Sequence, residues 1–462
     1  MLINTAQKNH FNMTTEDRTI DSETGERASG TRGLVFSIFQ TQGSNIFGVL
    51  LSIGTSVVIA RLLGVDGRGE YSLVLLFGNL IATFLNCGIP SAIIYYVGGG
   101  RVLAQQMIKN SFFAALALGF ICVAGMAFMG KSVLLRWLLG AATVTPSFKL
   151  VVISAPLALY SSFLVNILLA EGKITAFNCF PLLSQCLTLG SMLTIHAFGH
   201  LTVVSTIAIT IVVQLVITLA MLLNRKDVRN IIASPILHIS DIKSVFSYAL
   251  PSYTANLVQF FSYRTGTLLV GHFQGFSGVG IYTLATGLAE FLWLLSRPVA
   301  TVLFPRMSTS KTPQQHVDLA LQMARFTFYV TLLCALIGAS ACQFLIPALY
   351  GHAFASAVGP FLWLLPGTTF FSITNVLASY LAGIGKPGTN LMVSLISTAC
   401  TVVLTITLLP RFGLTGAAIA TSIGYFASTI LTGFFVIRVS GTGLSRYLLP
   451  PSAREFRELL KA

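Results

Sequence analysis

Of the fourteen Asp and Glu residues in the chain, Glu290 alone falls inside a long apolar stretch. A carboxylate at such a depth costs roughly 3 kcal/mol or more unless it is paired or faces water, so it is a functional position by default. Two arginines share this setting, Arg264 in the preceding stretch and Arg297 seven residues further on. On a helix, Glu290, Trp293 and Arg297 lie along one face, with Arg297 roughly 10 Å beyond Glu290 along the axis. Arg264, on an antiparallel neighbour, is expected on the other side of Glu290. The three then form a ladder of cation, anion and cation that could line a polar path. The competing reading is an Arg264–Glu290 ion pair that clamps two helices, with Arg297 snorkelling to lipid headgroups.

These residues sit in a chain built for a bilayer. The 462 residues are 54% hydrophobic and only 9% charged, with a mean hydropathy of +0.81, whereas soluble chains carry about 25% charged residues. Stretches of about 20 apolar residues span the hydrocarbon. Twelve are expected, near 34–60, 71–97, 110–130, 150–170, 175–197, 201–223, 245–270, 278–304, 326–346, 356–383, 390–409 and 413–437. If both ends are cytoplasmic, the inner loops and tails collect 20 Lys and Arg and the outer loops six: Arg61, Arg68, Lys131, Arg136, Lys149 and Arg411. That asymmetry orients the chain with both termini inside. It also accounts for the net charge of +14 without nucleic acid.

The chain repeats itself at an offset of 211 residues. Gly64, Gly67, Gly69 and Tyr71 recur as Gly275, Gly278, Gly280 and Tyr282. An offset of six spans leaves the two copies in one orientation, so the halves are related by an axis along the membrane normal, with a substrate path expected between them. In this register Asn45 falls on Asn256, Asn79 on Glu290 and Asn86 on Arg297, so the second half carries charge where the first carries amides. The expected organisation is a disordered cytoplasmic tail over 1–32, a six-helix bundle over 33–223, a basic cytoplasmic linker over 224–244, a second bundle over 245–437 and an amphipathic cytoplasmic tail over 438–462.

Other signals carry less. The seven cysteines lie within or beside apolar stretches without a CxxC and read as small buried hydrophobes. His196 and His200 have the i, i+4 spacing of metal ligands, but Gly199 interrupts them and no third ligand is near. Gly64–Gly69 lacks the preceding strand of a phosphate loop and reads as a tight turn with Asp66 in it. No cofactor motif, ATPase motif or catalytic triad is present, and short loops leave little platform for a glycosyltransferase or polymerase built on Asp66 or Glu70.

Three strings in order carry a resemblance: Ala60-Arg-Leu-Leu-Gly-Val-Asp-Gly-Arg-Gly-Glu-Tyr-Ser-Leu73; Gly278-Val-Gly-Ile-Tyr282 leading to Ala289-Glu-Phe-Leu-Trp293 and Val302-Leu-Phe-Pro-Arg306; and Gly413-Leu-Thr-Gly-Ala-Ala-Ile-Ala420. With their spacing over twelve spans, the chain resembles the polysaccharide transporters, the O-antigen and exopolysaccharide flippases of the multidrug/oligosaccharidyl-lipid/polysaccharide exporter superfamily. The resemblance implies an all-α polytopic protein of the bacterial inner membrane, with two six-helix bundles around a central cavity. The implied cargo is a polyprenyl-diphosphate oligosaccharide flipped from the cytoplasmic to the periplasmic leaflet, with a polysaccharide polymerase and a chain-length regulator as expected partners. Arg264 and Arg297 suit a diphosphate, while Asn45, Asn256 and Gln259 suit sugar hydroxyls. Many relatives pair the arginine of the seventh span with an aspartate two residues later, where this chain has Gly266. The alternatives are a cation-coupled multidrug exporter of the same superfamily, in which Glu290 would be the coupling site, and a lipid II flippase, which usually has fourteen spans.

Overall fold

The computed structural model describes residues 16–100, 102–129, 145–225, 239–293, 296 and 313–441. Within them the chain is helical: α1 (Glu16–Leu85), α2 (Ile89–Gly98), α3 (Ala104–Met129), α4 (Pro146–Ala170), α5 (Ile174–Phe198), α6 (Val203–Leu223), α7 (Ile239–Glu290), α8 (Pro313–Tyr350), α9 (Val358–Gly383) and α10 (Pro387–Ser440), with a 3-10 turn at His352–Ala357 between α8 and α9. The first helix begins at Glu16, inside the stretch read as a tail. Local chemistry sets several of the ends. Thr202 and Ser205 form a reciprocal capping box at the start of α6, and the Thr145 side chain accepts from the Phe148 N–H at the start of α4.

Three of the helices are folded back on themselves. Each reversal is a single glycine with left-handed φ and extended ψ: Gly64 (67°, −169°), Gly275 (63°, −158°) and Gly413 (58°, −145°). That region of backbone space is essentially closed to residues with a Cβ. Side-chain bonds across each fold show that the arms run antiparallel: Arg68 reaches Ser56, Arg264 reaches Glu290, and Ser397 meets Ser428 at 2.8 Å. The expected loop Gly64–Gly69 is therefore one residue long, and Asp66 is already helical. A Gly-x-x-Gly pattern recurs at the three folds, as Gly64/Gly67, Gly275/Gly278 and Gly413/Gly416. A Cβ on Gly67 or Gly278 would crowd the side chain of the residue just before the fold, Leu63 or Gln274.

With each arm taken separately and α2 as the continuation of the arm before it, the described residues supply the twelve helical segments of a two-bundle membrane protein. One expected span is corrected. The span at 71–97 is broken at 86–88, where Cys87 and Gly88 both have positive φ and Pro90 starts the short α2; proline suits a first helical turn because its missing N–H has no partner there. The span at 278–304 is helical to Glu290, turns at 291–292 and is helical again at Trp293 and Ser296, while 294–295 and the residues from 297 lie outside the described residues. The apolar side chains left on the outside, such as Phe120, Phe198 and Phe344, would pay a large penalty in water and none in lipid. The cysteines follow the same division. Cys122 and Cys342 are buried, but Cys179 and Cys186 are exposed on α5, because apolar sequence in a bilayer does not imply a protein interior.

The halves meet through their own repeat. A Cβ on Gly69 would overlap the carbonyl oxygen of Phe276, and one on Gly280 would overlap that of Val65; each clash is the other shifted by 211 residues. The largest apolar cluster lies around this contact and draws on both halves, with Leu73, Phe77 and Phe148 from the first and Val270, Tyr282 and Tyr350 from the second. The next two clusters are confined to one half each, around Phe163 and Ile167 in the first and Leu321 and Leu377 in the second. The bundles are thus joined at the end that carries the three folding glycines.

Candidate functional site

Arg264 and Glu290 face each other across the two arms of α7. Nη1 donates to Oε1 at 3.1 Å and Nη2 to Oε2 at 3.4 Å, a parallel fork-to-fork contact. The pair is not sealed: the Arg264 side chain is 39% exposed and that of Glu290 22%. The pair ties the two arms together, as the clamp reading has it, and remains partly exposed. One step of the expected ladder is a direct contact, while Arg297 lies outside the described residues. Trp293, expected on the face of Glu290, is turned inward among Tyr263, Phe371 and Tyr425, with ring centroids 5.2, 5.3 and 5.7 Å away.

Gly266, the departure from the relatives' pattern, has a packing reason. A Cβ there would lie 2.8 Å from the Tyr282 hydroxyl and 3.1 Å from that of Thr421, and those hydroxyls bond each other at 2.9 Å. The place of a carboxylate is filled by a neutral bond joining α7 to α10. Glu290, from the other arm, supplies the carboxylate that Arg264 faces.

One turn before Tyr263, Gln259 donates from Nε2 to the tyrosine hydroxyl at 2.9 Å. Both line a cavity of about 260 Å3 inside the second bundle, with Asn375 and Asn390 on the opposing helices. Asn375 donates to Ser296 at 3.1 Å, and Oδ1 of Asn390 is buried without a partner among the described residues. Neither asparagine was anticipated; both are polar positions in or beside apolar stretches, but the repeat gives them no amide counterpart. Asn45 and Asn256 are exposed, one in each half, and neither lines this cavity.

The outer-loop reading of Arg61 and Arg68 is corrected. Arg61 crosses to the last turn of α8, donating to the carbonyls of Ala348 and, at 2.7 Å, Leu349, groups that a helix end leaves without intrahelical partners. Arg68 is 7% exposed. It donates to the Ser56 carbonyl at 2.8 Å and hydroxyl at 3.0 Å, and its guanidinium lies 5.4 and 5.7 Å from the ring centres of Tyr350 and Phe354, within cation–π range. Both arginines thus fasten the first half to the second at the glycine end. Away from that end, the Tyr253 hydroxyl donates to the Phe84 carbonyl at 2.8 Å.

Two six-helix bundles related by the repeat, in contact at the glycine end and carrying polar groups inside apolar helices, define a polytopic α-helical membrane protein built from two like halves. Residues 58–359 match the family described as polysaccharide biosynthesis protein, and the chain belongs to that family. It is 23% identical over 197 residues to a probable low-salt glycan biosynthesis flippase, Agl15, of Haloferax volcanii; the match covers 42% of each protein, so the chain spans less than half the length of this curated relative. Its fold superposes on the lipid II flippase MurJ in an inward closed conformation with a TM-score of 0.71 at 14% identity, over 92% of both chains. It superposes on an inward-facing multidrug resistance transporter of the MATE family, within the MOP superfamily, with a TM-score of 0.69 at 17% identity, over 85% of this chain and 95% of the other. The fold is shared with these two proteins, as the resemblance implied.

Proposed function

We propose that this protein is a flippase that moves a polyprenyl-diphosphate-linked oligosaccharide from the cytoplasmic to the opposite leaflet of the cytoplasmic membrane, for assembly of a surface polysaccharide. The observation that carries this reading is the partly exposed Arg264–Glu290 fork. A guanidinium held bidentately by a carboxylate is preorganised for the oxygens of a phosphate, which can take its place; Glu290 keeps Arg264 oriented while no cargo is bound. Gln259, Asn45 and Asn256 supply amides for sugar hydroxyls, and Arg297 a further charge for the diphosphate. With both termini cytoplasmic, the glycine end faces outward. The contacts of Arg61 and Arg68 then hold the two halves together on the outer side. The glycan-flippase relative and the family support the cargo class.

The test is the leaflet distribution of the lipid-linked glycan in cells depleted of the protein and complemented with wild type, Arg264→Ala or Glu290→Gln. Trapping of one glycolipid on the cytoplasmic side, relieved by wild type and not by Arg264→Ala at equal protein levels, is expected. A normal distribution after depletion would reject the flippase and favour a cation-coupled exporter with Glu290 as its coupling carboxylate.

A further inference from the structure

A second polar cavity, of about 370 Å3, lies within the first bundle, between the arms of α1 and helices α5 and α6. Its lining includes Ser56, Arg68, Tyr71, Ser72, Ser184 and Gln185. Arg68 is more than nine-tenths buried, and no carboxylate among the described residues forms an ion pair with it. Its two terminal nitrogens are used on Ser56, and its guanidinium lies against two aromatic rings. Its Nε–H is buried with no acceptor among the described residues. A buried cation without a counter-charge is costly, and this one is short both of a negative charge and of an acceptor.

The cavity walls offer donors to the missing group. Ser56 accepts from Arg68 and so retains a hydroxyl hydrogen to give, and the Ser72 hydroxyl, 3.3 Å from that of Thr283, whose own hydrogen goes to the Val279 carbonyl at 2.7 Å, can turn its hydrogen toward the cavity. Gln185 presents a buried side-chain oxygen without a partner among the described residues; rotation of its amide by half a turn replaces that orphan acceptor with a donor. There is no carboxylate in the lining to receive a metal ion or an ammonium group, and the arginine itself repels one. We infer that this cavity binds a small monovalent anion of the halide class, held by Arg68 Nε with the hydroxyls of Ser56 and Ser72 and the amide of Gln185. The site is separate from the Arg264–Glu290 pair and does not depend on the proposed cargo. Because Arg68 also packs on Tyr350 and Phe354, an anion that fixes its guanidinium bears on the closure of the glycine end.

The experiment is equilibrium binding of radiolabelled chloride to the purified full-length protein in detergent, at constant ionic strength with sodium gluconate, with unlabelled bromide as competitor. Saturable binding displaced by bromide is expected, lost in Arg68→Gln and weakened at least several-fold in Ser72→Ala, which removes a donor without touching the aromatic contacts of Arg68. If Arg68→Gln does not fold, Ser72→Ala and Gln185→Leu carry the test. No saturable binding in the wild type, displacement by a neutral hexose but not by bromide, or binding unaltered in the folded variants would each overturn the site.

Discussion

Ser72 and Thr283 are 211 residues apart in sequence, the period of the repeat, and their hydroxyl oxygens are 3.3 Å apart in space. Two repeat-related positions can touch only where the axis relating the halves passes between them. That axis therefore runs between these hydroxyls and the neighbouring glycines, Gly69 and Gly280, whose missing side chains let the two backbones meet. Any rocking of one bundle against the other has to be accommodated at this contact.

Gly280→Ala is expected to lower stability by about 1–3 kcal/mol, the usual cost of overpacking, because its Cβ would enter the Val65 carbonyl. Gly287→Ala, seven residues along the same arm with open space at the Cβ position, should be neutral or slightly stabilising. Thermal unfolding of the two purified variants in one detergent makes the comparison, and equal losses would remove the contact from the axis.

The charge-swapped double variant Arg264→Glu/Glu290→Arg separates clamp from cargo site. As a clamp, the pair works in either order, and stability should return to within about 1 kcal/mol of wild type when each single change costs more. As a phosphate site it does not work in reverse, because the surroundings of each position differ and the arginine has moved to the other arm. Restored melting with no restored surface polysaccharide is expected; restored polymer would reduce the pair to a clamp.

The glycine end and the far contact should respond in opposite directions. Arg61→Ala removes a cation from the last turn of α8, worth about 0.3–1 kcal/mol at an exposed helix end, and should raise the fraction open at the glycine end a few-fold. Tyr253→Phe removes the bond to Phe84, about 0.5–1.5 kcal/mol, and should shift the population the other way. Pulsed electron-electron distance distributions between spin labels on the two bundles at the glycine end would show both shifts; two shifts of the same sign would contradict the arrangement.

Trp293→Ala should cost about 3–5 kcal/mol, as for other large aromatic truncations in cores, since the ring joins α7 to Phe371 on α9 and Tyr425 on α10. Trp293→Phe should keep most of that stability and lose little function. Denaturation monitored by circular dichroism distinguishes the two, and a mild alanine variant would show that the cluster is dispensable.

Much of the architecture could be read from the chain because bilayer physics leaves few choices: long apolar runs must be helices, and a repeat of six spans must keep its orientation. The Arg264–Glu290 approach was legible for the same reason, since ionisable groups at that depth need partners. Arg68 was not. Its sequence setting among glycines and beside Asp66 resembles a hydrated loop, and only the collapse of that loop to the single residue Gly64 brings the guanidinium inside. The break at 86–88 was equally hidden, because Cys87 and Gly88 are tolerated in a continuous span as well as in a turn. Asn375 and Asn390 escaped a search guided by internal symmetry, having no polar mates in the first half.

The one-residue folds at Gly64, Gly275 and Gly413 also bear on how the chain is made. A pair of helices joined by a single peptide corner has almost no hydrophilic segment to carry across the bilayer. Each pair can enter as a hairpin, with its two arms already shielding each other's polar side chains, Arg264 and Glu290 included. The same economy leaves these three corners almost nothing for a protease, an antibody or an inserted tag to grasp.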